Sequence, residues 1–110
     1  MSLIRRKEDR KKVVKEEVQK GPGHLISEMW NRGRMLNENV LEKDCGVGYH
    51  VHQGDGEIYV ILSGEAEYND NGTITTVTAG DITFTGPGEG HAITNRKDEP
   101  MSFMAIILYE

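Results

Sequence analysis

The sequence predicts an all-β fold, a sandwich or barrel built from short strands. Apolar or alternating runs follow one another from residue 27 onward and are separated by Gly, Asn and Asp at near-regular intervals. Glycine is frequent, at 13 of 110 residues, as short strands and tight turns require. No amphipathic helical pattern appears after residue 30. A chain of this length accommodates one domain.

The clearest strand is the apolar run from Ile58 to Leu62, which stops at Ser63 and Gly64. A hairpin turn is predicted at 69–72, where Asn71 and Gly72 suit the positive φ angles of such a turn. Turns at 79–81 and 86–90 separate further predicted strands at 73–78, 82–84, 92–95 and 101–109.

Charge divides the chain into two parts. Residues 1–20 hold eight basic and four acidic residues, a net charge of +4, whereas residues 21–110 hold five and fourteen, a net charge of −9. The basic segment has no aromatic residue for base stacking and its positive charges are interleaved with acids, so no nucleic-acid partner is expected. We predict a charged arm over residues 1–26, flexible or exchanged between the copies of a homodimer, and a barrel over residues 27–110.

The composition also bears on location. No apolar run approaches the ~18 residues that span a bilayer, and the first residues are charged rather than signal-like, so no membrane association is expected. Cys45 is the one cysteine and has no partner for an internal disulfide. These features favour a cytoplasmic protein.

Three histidines and one glutamate have the spacing of a metal site. His50 and His52 are two residues apart, so both side chains point to one face of an extended chain. Glu57 follows a short turn that would return it to the two histidines, and His91 follows a Gly-rich loop. Three nitrogens and one carboxylate suit Mn, Fe, Co, Ni, Cu or Zn. His24 lies outside this pattern and is interpreted as a surface histidine.

The segment around these residues resembles the first motif of the cupin superfamily. That motif reads Gly, five residues, His-x-His, three or four residues, Glu, six residues, Gly. The chain has His50 and His52, then four residues to Glu57 and six more to Gly64. Asp44 stands at the position of the leading glycine.

The second cupin motif reads Gly, five residues, Pro-x-Gly, two residues, His, three residues, Asn. Gly80, Gly88, His91 and Asn95 are in register with it, while the proline stands one place late, at Pro87. On the face shared with His91, Asn95 is expected to support the ligands through a hydrogen bond or to line the barrel, rather than to be a ligand itself.

The resemblance implies a double-stranded β-helix, a jelly-roll barrel that binds one divalent ion through His50, His52, Glu57 and His91. In motif the chain is similar to the oxalate decarboxylase and oxalate oxidase branch, which usually carries manganese; iron, nickel, zinc and cobalt also fit. The branch implies an enzyme acting on a small carboxylate or oxygenated substrate, as a decarboxylase or a dioxygenase. Because catalysis needs a second titratable group, Glu89 and Tyr59 are the candidate catalytic residues.

Two other functions remain open at the level of sequence. One is a non-catalytic cupin that binds a small molecule or a sugar. The other is a metal-dependent sugar isomerase. Like many cupins, the protein is expected to form a homodimer.

Overall fold

Two antiparallel sheets form the protein, in a computed structural model that describes residues 6, 8, 11–29 and 35–109. A 3₁₀ turn, Val18–Lys20, follows the first strand. The strands are β1 Lys12–Glu16, β2 His24–Met29, β3 Met35–Leu41, β4 Gly46–Val51, β5 Asp55–Ser63, β6 Glu65–Asp70, β7 Thr73–Thr78, β8 Ile82–Thr85, β9 Gly90–Thr94 and β10 Met101–Tyr109. The predicted all-β fold is confirmed.

The larger sheet has six strands in the order β1-β2-β3-β10-β5-β8, and the smaller has four in the order β4-β9-β6-β7. Strand β10 is hydrogen-bonded to β3 on one side and to β5 on the other. The inner faces of the two sheets meet at Tyr59 and Tyr68, whose ring centroids are 6.3 Å apart. Side chains from both sheets therefore share one interior.

Alternation along the strands decides which side chains enter this interior. On β5, Tyr59 and Ile61 are buried, whereas Ile58 and Val60, which alternate with them, are half-buried on the outer face. On β9, His91 and Ile93 are fully buried. The buried apolar residues are Leu25, Leu41, Cys45, Val47, Tyr59, Ile61, Ala66, Tyr68, Val77, Ile93, Met101, Phe103 and Ala105.

The predicted hairpin turn joins β6 to β7. Asn71 and Gly72 have φ angles of 52° and 98°, and the amide of Gly72 donates a hydrogen bond of 2.7 Å to Oδ1 of Asn69. Such positive φ angles match the twist of the flanking strands, which is why Asn-Gly is favoured here.

The N-terminal segment joins the larger sheet of the same chain. Strand β1 pairs with β2, and β2 spans residue 26, the predicted boundary between the arm and the barrel. Val18 packs against the core, and Pro22 accepts a backbone hydrogen bond of 2.8 Å from Gly46. The division at residue 26 and the exchange between copies stay predictions.

None of the described residues forms a helix with the length and apolar character that crossing a membrane demands.

Candidate metal centre

The ligand atoms of His50, His52, Glu57 and His91 converge on one point, all within 4.8 Å of one another. Pairing of β4 with β9 places His50 directly opposite His91. His91 Nε2 is 3.1 Å from Nε2 of His50, 3.1 Å from Nε2 of His52 and 3.0 Å from Oε1 of Glu57. This grouping was predicted from the sequence, and the structure places all four residues for a metal ion.

Each histidine is held in place through its other ring nitrogen. His50 Nδ1 donates to the carbonyl oxygen of Gly48 at 2.7 Å, and His52 Nδ1 donates to Oδ1 of Asp55 at 2.9 Å. Since a carbonyl and a carboxylate only accept hydrogen bonds, both Nδ1 atoms carry the proton and both Nε2 lone pairs point to the centre.

The third histidine, His91, is held by two hydroxyl groups. Its Nδ1 is 2.9 Å from the Tyr68 hydroxyl and 2.9 Å from Oγ1 of Thr85. All three residues are buried, so the ring of His91 is fixed by packing as well as by these contacts. The aromatic ring of Tyr59 stacks on it, with centroids 4.8 Å apart and an interplanar angle of 24°.

This donor set fits a divalent transition-metal ion. Nitrogen–metal bonds are about 2.0–2.1 Å long, so two ligands of one ion lie about 3–4 Å apart. The separations of 3.0–3.9 Å between Glu57 Oε1 and the three Nε2 atoms fall in that range. Lone pairs and a carboxylate at such distances repel one another unless a cation lies between them.

Electrostatics keep the glutamate ionised. Burial acts to raise the pKa of Glu57, but hydrogen bonds donated by the Nε2–H groups of His50 and His91, the protonation states that precede metal binding, outweigh it and lower the pKa to about 2. Burial lowers the pKa of His91, which favours its neutral, metal-binding form. The pKa of His50 is raised instead, because its hydrogen bonds with Glu57 and Gly48 outweigh burial. The site therefore offers one negative charge, and a metal ion that binds to His50 would displace a proton from its Nε2 atom.

A cavity of about 350 Å³ opens beside the four ligands. Besides His50, His52 and Glu57 it is lined by Tyr59, which is only 2% exposed. Burial, and after it the negative charge of Glu57, raise the pKa of the Tyr59 hydroxyl well above its ordinary value. Tyr59 is thus neutral and carries a proton close to the metal ligands.

The structure places Glu89 differently from Tyr59. Its carboxylate accepts a hydrogen bond of 2.8 Å from the Gly86 amide and one of 3.5 Å from Nδ2 of Asn71. Within the part of the chain that the structure describes, Glu89 is not among the residues lining the cavity. The carboxylate of Glu89 therefore accepts a hydrogen bond within its own loop. Catalytic roles for Glu89 and Tyr59 stay predictions.

The remaining polar candidates lie away from the centre. Asn95 is buried and donates through Nδ2 to the carbonyl oxygens of Leu41 and Glu99, as expected for a structural amide. His24 contacts Glu42, with Nε2 2.6 Å from Oε1.

Sequence reasoning missed six polar residues of the site, namely Lys15, Gln19, Asn37, Asn39, Gln53 and Asp55. Two signals in the sequence could have identified three of these residues. Asp55 lies inside the first motif, and alternation along β3 places Asn37 and Asn39 on the inner face. Lys15 reaches the cavity because β1 pairs with β2, and no local pattern indicated that pairing.

Comparison with known proteins agrees with this geometry. Residues 38–107 match the family described as the cupin domain. The chain is 40% identical over 87 residues to an oxalate-binding protein of Thermotoga maritima, covering 77% of this chain and 72% of that one. The chain therefore belongs to the cupin family.

Solved structures of other proteins share the fold of this chain. The crystal structure of a predicted oxalate decarboxylase from Thermotoga maritima superposes with a TM-score of 0.94 at 29% identity, covering 98% of this chain and all of that one (100%). An uncharacterised Klebsiella pneumoniae protein with a double-stranded β-helix domain gives 0.70 at 27% identity, covering 82% of this chain and 78% of that one. The double-stranded β-helix predicted from the sequence is confirmed.

Proposed function

We propose that the protein is a metal-dependent enzyme that acts on a small carboxylate or oxygenated substrate, with oxalate as the reference compound. The observation that carries the proposal is the convergence of His50, His52, Glu57 and His91 beside a cavity large enough for a small organic acid. The names of the two Thermotoga maritima relatives, an oxalate-binding protein and a predicted oxalate decarboxylase, support a carboxylate ligand.

The bound ion supplies positive charge that polarises a carboxylate and stabilises charge developing on it. We propose manganese, with iron, nickel, zinc and cobalt as the other candidates. The half-buried Lys15 adds a second positive charge to the cavity and would attract the anionic substrate. The neutral Tyr59 hydroxyl is the candidate proton donor.

We also propose that the enzyme works as a homodimer in the cytoplasm. The outer face of the larger sheet supports an apolar contact, because Ile82 and Phe84 on β8 are 67% and 57% exposed. They lie opposite the half-buried Val60 and Ile58 of β5. A symmetric contact through this face would remove apolar surface from water.

A non-catalytic binding protein is the second candidate. One relative is named for binding rather than for turnover. Moreover, both cavity-lining carboxylates among the described residues, Asp55 and Glu57, contact histidines. Neither is then available as a general acid, which leaves the proton donor to Tyr59.

Metal analysis followed by a substrate screen tests the proposal. The full chain is purified without added metal, its metal content is measured, and the protein is loaded in turn with Mn, Fe, Co, Ni and Zn. Oxalate binding is then followed by calorimetry and oxalate loss by product analysis, with His91→Ala as the metal-free control. Binding with turnover supports the enzyme, binding alone supports the second candidate, and a protein that binds neither metal nor acid contradicts both.

A further inference from the structure

Lys15 is a cation in the cavity of the metal centre that has no partner among the described residues. It lies half-buried on β1 and lines the same cavity as the metal ligands. Its ammonium group forms no hydrogen bond or ion pair with any residue that the structure describes. By contrast, Lys12, Lys43 and Lys97 each contact a carboxylate. Since a charge partly removed from water is unfavourable without a counterion, Lys15 is available to an anionic ligand.

The segment that follows Lys15 lies against the strand that carries His50. The carbonyl oxygen of Gln19 is so close to Gly48 that a Cβ atom added to this glycine would be 2.1 Å from it. The carbonyl oxygen of Gly48 in turn accepts the 2.7 Å hydrogen bond from Nδ1 of His50. Gln19 itself also lines the cavity. The N-terminal segment therefore forms one wall of the site, a single backbone contact away from the support of a metal ligand.

The turn after β1 keeps an unfavourable backbone conformation beside this cavity. Glu17, Gln19 and Lys20 have φ angles of 47°, 51° and 61°, in the left-handed region that residues other than glycine rarely adopt. Such strain costs free energy, and it is concentrated at segments that bind ligands. The strained turn supports a functional role for the segment that carries Lys15.

The cavity is larger than oxalate requires. Its volume of about 350 Å³ corresponds to roughly twelve water molecules at ~30 Å³ each, whereas oxalate is two carboxylate groups without a spacer. Leu25 lines the cavity directly opposite Lys15, and Val47 lines it on the strand that carries His50. Apolar side chains thus lie beside both the cation and the metal ligands, where a hydrocarbon chain would fit.

We propose that Lys15 binds a second carboxylate of the ligand, and that the ligand is a dicarboxylate whose acid groups are separated by a short hydrocarbon chain. The inference rests on the proposed function, because it assigns the first carboxylate to the metal centre. An ammonium group only donates hydrogen bonds, and its bonds to a carboxylate are among the stronger ones because both groups are charged. Lys15 then distinguishes a dicarboxylate from a monocarboxylate of the same length.

Diacids and monoacids of equal chain length provide the test, since only the diacid has a group for Lys15. Calorimetry with the manganese-loaded full chain compares succinate with butyrate, glutarate with pentanoate, and adipate with hexanoate. The diacid whose length fits the cavity should bind more tightly than its monoacid by roughly 10-fold, the effect of one hydrogen bond between charged groups.

Two substitutions separate the charge of Lys15 from its packing. In Lys15→Met the diacid preference should fall toward unity with the metal content unchanged, because methionine keeps an apolar stem but has no charge. Lys15→Arg keeps the charge and should retain the preference. Lys12→Met is the matched control, because Lys12 lies on the same strand, contacts Glu28 at 3.7 Å and is not among the described residues that line the cavity.

Equal affinity for the diacid and the monoacid in all three pairs overturns the inference, and this comparison needs no variant that folds. A diacid preference that survives Lys15→Met overturns it as well. If oxalate or the monoacids bind but no diacid is preferred, the proposed function stands and the inference alone fails. If no carboxylate binds, both fail.

Discussion

Asp55 is buried against His52, with its Oδ1 2.9 Å from the ring Nδ1 and only 6% of the residue exposed. The hydrogen bond fixes the His52 tautomer, so that Nε2 presents its lone pair to the other ligands. Asp55 would not coordinate the ion itself. Its effect on the metal would come through the orientation and basicity of one imidazole.

Asp55→Asn should therefore weaken metal binding by roughly 10- to 100-fold, the usual consequence of removing such a partner. The amide keeps the shape of the side chain but loses the charge that favours a protonated Nδ1. Competition with a chromogenic chelator measures the affinity. Asp98→Asn is the matched control, because Asp98 is exposed and contacts only Lys43 among the described residues. Equal affinity in the Asp55 variant and the control would show that this hydrogen bond does not tune the site.

His52→Ala and His91→Ala should each lose most of the bound metal. Each change removes one of four ligands, and the remaining three offer a weaker site. Elemental analysis of protein purified without added metal gives the occupancy, which should be close to one ion per chain in the unaltered protein. His24→Ala is the control, since His24 contacts Glu42 instead. Full occupancy in both ligand variants would mean that the ion binds elsewhere.

Glu57→Gln should reduce metal affinity while the fold is kept. With a pKa of about 2, Glu57 is ionised at neutral pH and balances one charge of a divalent ion. Glutamine has nearly the same shape but no charge, and its amide group is a poorer ligand. Isothermal titration with manganese measures the change, and circular dichroism checks the fold. If both affinity and turnover match those of the unaltered protein, the carboxylate does not bind the ion.

Tyr59→Phe should lower turnover and leave metal content unchanged. The substitution removes the Tyr59 hydroxyl, while the ring that stacks on His91 and packs against Phe103 is kept. Glu89→Gln is the parallel variant, because both residues were predicted from the sequence to be catalytic. The carboxylate of Glu89 is bound to its own loop, so we expect the smaller loss of activity there. A larger loss for Glu89→Gln than for Tyr59→Phe would reverse the assignment of the proton donor.

The full-length protein should run as a dimer, and deleting residues 1–20 should weaken that dimer. Val13 and Val14 on β1 are 44% and 58% exposed. Val14 alternates with the cavity-lining Lys15, so it lies on the outer face of the larger sheet, where the contact with a second copy is proposed. Light scattering measures the mass. Val14→Lys tests the same surface without removing Val18 from the core, and Ile74→Lys on the smaller sheet is the control. A full-length monomer whose mass is the same in every variant would contradict the expected homodimer.

Local patterns were sufficient to predict the grouping of the four residues at the candidate metal centre and most of the strands. Two-residue alternation placed His50 and His52 together, and it correctly assigned Tyr59 and Ile61 to the interior. The polar lining of the cavity depends instead on pairing between distant segments. Lys15 reaches it only because β1 joins the larger sheet. An asparagine on a strand gives no local sign of whether a neighbouring side chain satisfies its amide.

The position of β10 between β3 and β5 has a consequence for how the protein is made. The larger sheet has no continuous centre until residues 101–109 have left the ribosome, because β3 and β5 do not pair with each other. Long-range pairing of this kind makes folding slow compared with helical proteins. Glu57 lies on β5 opposite Ile107, so the carboxylate of the site reaches its final position only when that last strand is in place. Metal binding would then follow the pairing of β10 with β3 and β5 rather than guide it.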